Sequence, residues 1–455
     1  MVAEVVDHPK RKSVEIPLSE DAIAVEVSRA HADDMIWCPQ RGSWYVWEGS
    51  RWRRDERGVA FERVRNVCRI WSANEQNAKW GKHSVVASVE RFCRTEQSLV
   101  VEVAELDGDP LLLGIPSGVV DLRTGEVRKA SPADRITKQA LVDPSADDDG
   151  EPERWLEFLN DATRGDRELI SYLQRMAGYA LTGMVREHAL YFVYGPGGNG
   201  KGTFLNAIRA ILGDYAVHAP VETFTEGFSR HPTELAMLQG ARLVTASETE
   251  EGHAWKESRI KELTGGDPIT ARFVQKDFFT FQPQFKLIII GNHQPVLKNV
   301  DDAARRRFRI IPFKFKPVEA DLDLAERLEA EFPKILRWMI DGWLDMQAED
   351  AALPDVVRRE TFEYFEDQDA IGQWLNECCD TTEIDIGPDE AAPRCMSNKL
   401  FASWSAWATK NGELPGTNKR LTGELAKRGF RKKRGKHGVE FFRIVVKSEN
   451  PAPWL

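Results

Sequence analysis

At 455 residues the chain is too long for a single hydrophobic core, and its length predicts roughly two to four domains. Hydrophobic residues form 42% of it and charged residues 29%, which is typical of soluble globular proteins. No apolar run reaches the length of a membrane span, and the N-terminus lacks the apolar region of a secretory signal. Six cysteines without C-x-x-C spacing or a nearby His cluster are typical of reduced thiols, so we expect a cytoplasmic protein with no membrane partner.

The net charge of −10 is distributed unevenly along the chain. Between Lys419 and Lys436 there are nine Lys or Arg residues against one Glu, a local net charge of +8, so the remainder carries −18. An even spread of negative charge would argue against a nucleic-acid partner. This asymmetry instead predicts a local basic binding surface on an otherwise acidic protein.

The chain begins with residues 1–35, which we expect to be a flexible lead-in. The tryptophan-rich stretch SWYVWEGSRWRRD follows and predicts a β-hairpin across its Glu-Gly-Ser turn. Its aromatic side chains lie close to Arg51, Arg53 and Arg54, so they could stack on bases, although filling a small core is the commoner use. Residues 59–95 have a helical pattern, and GIPSGVVDLRTGEV predicts short strands joined by turns.

The stretch 143–153 is acidic and contains Pro and Gly, which predicts a linker, and residues 155–182 predict amphipathic helices. Next comes LYFVYGPGGNGKGT, in which Tyr191 to Tyr194 has the composition of a buried strand. Apolar residues then recur at helical spacing until Gly213. A strand, a glycine loop and a helix in this order are the structural context of a phosphate-binding P-loop.

In a P-loop the glycines let backbone N–H groups converge on phosphate oxygens, and the helix N-terminus adds its positive dipole end. Lys201 would reach the β- and γ-phosphates, and we expect it to be exposed and to contribute little packing. Gly202 stands where the motif has Ser or Thr, so Thr203 must supply the hydroxyl for Mg²⁺. The residues expected to bind ATP are Gly195, Gly197, Gly198, Asn199, Gly200, Lys201, Gly202 and Thr203.

Further strands follow the P-loop in an alternating β/α pattern. RLVTAS ends on Glu248, where P-loop ATPases place an acid that holds Mg²⁺ or polarises the attacking water; Glu250 follows closely. The strand 285–290 runs into Asn292, which could contact the γ-phosphate and its water. The triplet RRR at 305–307, before the strand FRIIPF, is either a solvated basic turn or an arginine finger supplied to a neighbouring subunit's nucleotide.

With these motifs the chain resembles the superfamily 3 helicases of phage and plasmid primase–helicases and of related large DNA viruses. The matching features are GPGGNGKGT, the strand ending in ASETEEG, KELTGGDPITAR, the strand with LIIIGNHQP, and RRRFRIIPF. Upstream, GSWYVWEGSRW, LLGIPSGVVDLRTGEV and LISYLQRMAGYALTG are similar to the domain that precedes the ATPase in this family. The resemblance extends over residues 37–317.

The resemblance implies roles for single residues. Lys201 and Thr203 would serve phosphate and metal, Glu248, with or without Glu250, would be the Walker B acid, and Asn292 would be the sensor. Ser247 occupies a place where many relatives have a second acid, so metal ligation could rest on Glu248. Arg306 or Arg307 matches the finger that acts in trans, and Arg305 leaves the choice open. Residues that would grip single-stranded DNA in a central channel are Lys261, Arg272 and Lys276.

The C-terminal part predicts helices over 319–346, which we interpret as a lid on the ATPase, and over 370–380. Residues 398–442 then read as two helices and a basic hairpin, the order of a winged helix, in which the family often ends. The alternative for the basic run is a solvated face. The candidate contacts to duplex DNA phosphates are Arg431, Lys432, Lys433, Arg434 and Lys436.

The predicted fold is an α/β P-loop ATPase with an AAA+-like superfamily 3 helicase core, an α+β N-terminal domain and a C-terminal winged-helix domain. The predicted division is a lead-in (1–35), a helicase-associated domain (36–182), the ATPase core (183–317), a helical lid or linker (318–390) and the winged helix (391–455). Full-length relatives carry a primase domain before these modules. Only about 35 residues precede Trp37, so we expect no primase activity in this chain and a separate primase as partner.

The predicted function is that of an ATP- and Mg²⁺-dependent DNA helicase of a phage or mobile element, acting as a ring-shaped homo-oligomer, expected to be a hexamer. One alternative is a DNA-binding initiator or regulator whose ATPase switches assembly without unwinding. A second is a nucleotide kinase, because some kinases share the Gly-Lys-Gly-Thr order. The two flanking domains and the arrangement of Asn292 with the arginine triplet argue against the kinase.

Overall fold

The computed structural model describes residues 19–146, 148–225, 232–247, 254–274, 276–297, 302–317, 321, 323–348, 352–381, 392–412, 414–435 and 438–447. The predicted site residues Glu248, Glu250 and Lys436 lie outside these ranges. Within them, no helix combines the length and the apolar composition needed to cross a bilayer.

The N-terminal unit has its own small hydrophobic core. Its elements are α1 (Glu20–His31), β1 (Met35–Cys38), β2 (Ser43–Trp47), β3 (Trp52–Arg54), α2 (Val59–Asn74) and α3 (His83–Cys93). The three strands form an antiparallel sheet, and the pairing of Trp47 with Trp52 confirms the predicted hairpin. Trp44 and Trp52 are buried, so these two rings fill cores as the commoner interpretation predicted.

The prediction of a flexible lead-in is wrong for residues 20–31, which form helix α1. The side chain of Ser19 caps this helix by accepting a hydrogen bond from the backbone N–H of Ala22 at 3.1 Å. Ile23 and Val27, one helical turn apart, are fully buried in the core that α1 shares with α2 and α3. The helical spacing of these apolar residues is present in the sequence, where charged residues such as Asp21 and Arg29 flank it.

The next elements join the main core of the molecule. They are β4 (Leu112–Ile115), β5 (Gly118–Asp121), β6 (Glu126–Arg128), α4 (Glu153–Thr163) and α5 (Arg167–Leu181), and they confirm the predicted short strands and amphipathic helices. Trp155 of α4 stacks on Phe204, which follows the glycine loop, with ring centroids 5.5 Å apart. Residues on both sides of the predicted boundary at residue 182 therefore share one hydrophobic core. Sequence periodicity shows which face of a helix is buried, but it does not show which other elements that face packs against.

A parallel sheet lies at the centre of this core. Its region contains β7 (Leu190–Tyr194), α6 (Lys201–Leu212), β8 (Ala216–His218), α7 (Pro232–Ala236), β9 (Leu243–Ser247), α8 (Glu257–Thr264), β10 (Ile269–Arg272), β11 (Phe278–Phe281), β12 (Lys286–Gly291), α9 (Asp302–Arg307) and β13 (Phe308–Pro312). The strand order is β13-β7-β12-β9-β8. The α/β class and the predicted buried strands are confirmed. Since β7 lies between β12 and β13, the ends of all three strands meet at one edge, where such sheets bind ligands.

Two buried cations fasten the end of α5 to this sheet. Arg242 donates to the carbonyl oxygen of Leu181 at 2.5 Å, and its guanidinium lies 4.4 Å from the ring centre of Tyr215. Lys286 donates to the carbonyl oxygen of Thr182. Burial lowers the pKa of both cations, because carbonyl dipoles replace only part of their hydration.

The remaining elements are α10 (Leu324–Glu329), α11 (Phe332–Ala348), α12 (Asp355–Gln368), α13 (Ala370–Cys378), β14 (Cys379–Thr381), β15 (Arg394–Met396), α14 (Ser397–Lys410), α15 (Asn418–Lys427), β16 (Lys432–Gly435), β17 (Gly438–Phe442) and β18 (Ile444–Val446). Helix α11 packs tightly on α5. A Cβ atom added at Gly178 would lie 2.3 Å from the carbonyl oxygen of Met339, and one at Gly342 would lie 2.6 Å from the carbonyl oxygen of Gln174. The helix is thus part of the main core, and its role as a lid on the ATPase stays a prediction.

Helix α12 lies against the sheet and against the loop that follows β12. Tyr364 donates from its hydroxyl to the carbonyl oxygen of Pro295 at 2.6 Å, and Gln368 accepts from the backbone N–H of Leu297 at 3.1 Å. Thr361 accepts from the backbone N–H of Ile310 in β13 at 3.0 Å. These contacts place α12 across the two segments that flank the carboxyl edge of β7.

The C-terminal unit contains the two helices and the basic hairpin that the sequence predicted. Three short strands were not predicted: β14 pairs with β18, and β15 extends the hairpin through β17. Arg428 at the end of α15 forms a bidentate ion pair with Asp369, with one bond of 2.8 Å, and Asp369 also accepts from the backbone N–H of Gly372 at 2.9 Å. This pair ties the unit to the end of α12.

We expect Asp369→Asn to destabilise the attachment of the C-terminal unit by about 2 kcal/mol, since hydrogen bonds to a charged group are lost. Burial raises the pKa of Asp369, but Arg428 and the N–H of Gly372 outweigh it and hold the pKa below its ordinary value. The stabilisation is therefore complete above the carboxyl's unfolded pKa of about 3.9 and is lost as pH falls through the lower folded value.

Thermal unfolding between pH 7 and pH 2 would check this. The variant should melt earlier at pH 7 and lose less stability than the parent on acidification. Identical melting profiles for the two proteins at every pH would contradict the role assigned to the ion pair.

Candidate functional site

The glycine loop between β7 and α6 needs glycine for both conformation and space. Gly200 is the N-cap of α6 and has φ +87°, and an added Cβ atom would lie 2.7 Å from the ring of Phe158. At Gly195 the added atom would lie 1.9 Å from the carbonyl oxygen of Phe313. The loop is therefore held between α4 and the segment after β13. Its shape leaves the first N–H groups of α6 directed at the carboxyl edge of the sheet.

Lys201 is the first residue of α6, and its ammonium group gathers oxygens from both sides of the site. It donates to the carbonyl oxygens of Gly195 at 2.5 Å and Pro196 at 3.2 Å, and to the side-chain oxygen of Asn199 at 3.0 Å. It also donates to the side-chain oxygen of Asn292, beyond the end of β12, at 3.1 Å. The structure thus brings together Lys201 and Asn292, which are 91 positions apart in the sequence.

The expectation that Lys201 is exposed is wrong. The residue is only 6% exposed, and burial lowers the pKa of its ammonium group. The reason is topological, since β7 lies between two strands whose following segments enclose the loop. Lys201 consequently contributes hydrogen bonds to the loop as well as charge.

The metal side of the predicted site is only partly described. Thr203 lies in the first turn of α6, two residues after Lys201, and Ser247 ends β9 next to Ile290 of β12. Glu248 would follow Ser247 directly, but both Glu248 and Glu250 fall in the undescribed stretch 248–253. Among the described residues no group of three or more His, Cys, Asp or Glu is arranged to hold a metal ion. Thr203 and Glu248 remain predicted ligands.

The arginine triplet lies at the opposite edge of the sheet from Lys201. It ends α9, and β13 begins at Phe308, which is in register with Leu190 at the start of β7. A strand of five residues spans roughly 17 Å, so the triplet cannot serve the glycine loop of its own chain. Arg306 is exposed, and Arg307 donates to the carbonyl oxygen of Ala303 at 3.0 Å.

Arg305 differs from its two neighbours because helix α12 holds it. Its guanidinium lies 5.1 Å from the ring centre of Phe365 and 3.7 Å from a carboxylate oxygen of Glu366. A side chain anchored in this way is less suited to reach another subunit. The role of a finger toward another subunit stays a prediction, with Arg306 or Arg307 as its candidates.

Two of the three predicted channel cations lie in an aromatic hairpin that sequence reasoning missed. Lys261 lies on α8, Arg272 ends β10, and Lys276 lies in the turn before β11. The guanidinium of Arg272 is 4.8 Å from the ring centre of Phe278, which is 60% exposed. Phe273 stacks on Phe279 at 5.1 Å. Exposed rings beside cations can stack on nucleic-acid bases, and the run RFVQKDFFTF was the signal for them.

The basic surface of the C-terminal unit lies on an edge strand. Lys432, Lys433 and Arg434 are exposed on β16, which pairs on one side with β17, and Arg431 is exposed immediately before them. Cations on an edge strand also hinder unwanted strand pairing, so their position alone does not decide between DNA contact and a solvated face. Lys436 lies outside the described ranges.

Comparison with known proteins covers both the N-terminal unit and the parallel sheet with its glycine loop. A family model described as D5 N terminal like matches residues 26–164, and a family of unknown function, DUF5906, matches residues 193–307. "Putative helicase L207/L206" of Acanthamoeba polyphaga mimivirus is 29% identical over 51% of this chain and 25% of its own length. These matches support a relationship to the primase–helicases of phages and viruses.

Other similar proteins match a longer part of the chain. "Putative helicase 022R" of Frog virus 3 (isolate Goorha) is 22% identical over 71% of this chain and 41% of its own length. Among solved structures, the apo structure of the NrS-1 C terminal region has a TM-score of 0.50 at 12% identity, covering 94% of this chain and 99% of that one. That likeness shows the fold alone. The chain spans between a quarter and two fifths of the length of these two viral relatives.

Proposed function

We propose that this chain is an ATP-dependent DNA helicase of the primase–helicase type that works as a ring-shaped homo-oligomer, with six subunits expected. The observation that carries the proposal is the contact between Lys201 and Asn292 at the carboxyl edge of the sheet. A lysine at a helix N-terminus can bind the phosphates of a triphosphate, and an amide just after the neighbouring strand can orient the attacking water. The names of the viral relatives support the helicase activity.

In the proposed mechanism, the glycine loop and the N-terminus of α6 bind the phosphate chain of ATP, and Lys201 offsets the charge of the transferred group. Asn292 orients the attacking water, which Glu248 polarises. Thr203 and Glu248 would hold Mg²⁺, which supplies positive charge to the β- and γ-phosphates. Arg306 or Arg307 stabilises the transition-state charge in the adjacent subunit.

DNA would contact two surfaces in this proposal. Single-stranded DNA would pass the β10–β11 hairpin, with Arg272 and Lys276 at the phosphates, Lys261 nearby and the exposed phenylalanines against bases. Duplex DNA would bind the basic run before and along β16. A separate primase is proposed as a partner on the strength of the family resemblance.

Strand displacement by the purified chain on forked DNA, measured together with ATP hydrolysis, tests the proposal. ATP-dependent displacement with DNA-stimulated hydrolysis is the expected result. DNA binding and ATP hydrolysis without strand displacement would identify a regulator or initiator. Formation of ADP that depends on a nucleoside monophosphate and ignores DNA would identify a kinase. Electron microscopy with an ATP analogue and single-stranded DNA would count the subunits.

The basic run gives a separate prediction. Replacing Arg431, Lys432, Lys433, Arg434 and Lys436 with Ser should weaken binding to duplex DNA and flatten the slope of log K against log salt by up to about 0.9 per lost phosphate contact. ATPase activity without DNA should persist, because Lys201 and Asn292 lie at the glycine loop of the parallel sheet and not in the C-terminal unit. Binding isotherms at several salt concentrations measure both quantities. Parental affinity with a parental slope would show a solvated face.

A further inference from the structure

The chain that leaves β13 runs directly along the glycine loop. Phe313 donates from its backbone N–H to the carbonyl oxygen of Tyr194 at 2.7 Å, and its own carbonyl oxygen accepts from the side chain of Asn199. Three residues later the segment reaches Gly198. A Cβ atom added there would lie 2.8 Å from Cε and 3.6 Å from Nζ of Lys316. The end of the Lys316 side chain therefore rests on the outer part of the loop.

Two lysines on this segment have different surroundings. Lys314 donates to Glu360 of α12 at 2.6 Å, so its charge is compensated by a carboxylate. Lys316 is exposed, and within the described part of the chain it forms no ion pair. Between them, Phe315 lies under the guanidinium of Arg164, which is 4.1 Å from its ring centre. The ammonium of Lys316 thus stands on a short segment that is held by Glu360 through Lys314 and by Arg164 through Phe315.

The electrostatics of the loop give this position a use. The ammonium of Lys201 and the N-terminus of α6 already make the loop positive, so a further cation beside it is repelled unless an anion binds there. A triphosphate carries several negative charges, and Lys201 is expected to reach only its β- and γ-phosphates. A lysine on a flexible four-carbon stem can follow the phosphate chain as a point charge.

We propose that Lys316 is a second phosphate-binding cation of the nucleotide site, acting in the same subunit as the glycine loop. The inference rests on the proposed function, since it needs a nucleotide at that loop. It assigns a ligand contact to a residue outside the P-loop motif. Gly198, whose φ of +76° itself favours glycine, leaves room for the end of the Lys316 side chain.

Equilibrium binding of ATPγS and of ADP to Lys316→Ala, Lys316→Arg and Lys410→Ala tests the proposal. Lys410→Ala is the matched control, because it removes the same charge from the exposed end of α14. We expect Lys316→Ala to weaken ATPγS binding by about tenfold, as the loss of one charge-assisted contact would. Lys316→Arg should retain most of the affinity, and the control should equal the parent.

The outcomes separate this inference from the proposed function. If Lys316→Ala binds ATPγS as the parent does while Lys201→Ala does not, Lys316 has no part in the site and the nucleotide function stands. If the parent itself binds no nucleotide, both proposals fail. Equal losses in Lys316→Ala and Lys410→Ala would reduce the effect to net charge and overturn the inference. Unchanged thermal melting of Lys316→Ala would show that its loss of affinity is local.

Discussion

Lys201→Ala should abolish ATP hydrolysis and strand displacement, with a loss of turnover of at least about a thousandfold. Removal of a preorganised donor to the transition state alone costs roughly a hundredfold to a thousandfold, and here charge on the transferred phosphoryl group is lost as well. Release of phosphate by the purified variant, with and without DNA, is the measurement. Turnover equal to the parent's would remove the P-loop assignment.

The structure adds a second expectation for this position. The three N–H groups of the Lys201 ammonium are shared among four oxygens, of which those of Gly195 and Asn199 belong to buried residues. Alanine leaves these two buried acceptors without that donor, at a cost of about 1–3 kcal/mol in the free energy of unfolding. Lys201→Arg is the matched variant, since it keeps the charge but changes the shape of the donor. It should melt closer to the parent than alanine does while still hydrolysing ATP poorly.

Arg306→Ala and Arg307→Ala should separate nucleotide binding from hydrolysis. The arginine that acts across the interface stabilises transition-state charge, so its loss should slow turnover by on the order of a thousandfold while ATP affinity changes much less. Arg305→Ala is the internal control. Its side chain is held by Phe365 and Glu366, so we expect lower stability without the same loss of turnover.

Mixing experiments test the trans arrangement itself. Combining the finger variant with Lys201→Ala should restore part of the activity, because some interfaces then contain an intact lysine and an intact arginine. The measurement is ATP turnover across a series of mixing ratios. If no ratio recovers activity, the arginine does not act between subunits.

Local features of the fold were predictable because their causes are local. The apolar run before the glycines and the helical spacing after them predicted β7 and α6, and Gly213 correctly marked the end of α6. The Glu-Gly-Ser turn predicted the β2–β3 hairpin. In each case a few adjacent residues determine the backbone conformation.

Features that depend on distant packing were not predictable. The burial of Lys201 depends on β12 and β13, which are placed on either side of β7 by a strand order that the sequence does not state. The assignment of α11 to the main core depends on two facing glycines, Gly178 and Gly342, which have no periodic signal. The anchoring of Arg305 by α12 is likewise a contact between segments far apart in the chain.

Some residues of the candidate site are described by the structure, such as Lys201 and Asn292, while Glu248 rests on the sequence alone. The sequence predicted that Lys201 and Asn292 each reach the γ-phosphate, which stays a prediction. The structure places the two side chains in contact, since both follow strands whose carboxyl ends meet. It missed Lys316 because no motif marks that position. The roles of Glu248 and of Arg306 or Arg307 stay predictions, and the mixing experiment would decide the second.

Helix α12 has a practical consequence for exchanging parts between relatives. It is bonded to β13 through Thr361 and to the loop after β12 through Tyr364 and Gln368, while Asp369 at its end holds the C-terminal unit. A chimera joined at residue 391 keeps Asp369 but replaces its partner Arg428 with whatever the donor offers. A chimera joined before Asp355 takes α12 from the donor as well, so it loses the contacts that Thr361, Tyr364 and Gln368 make with β13 and with the loop after β12. The C-terminal unit should therefore be exchanged together with a donor cation that pairs with Asp369. We expect chimeras without that cation to lose the attachment of the C-terminal unit before the rest of the fold unfolds.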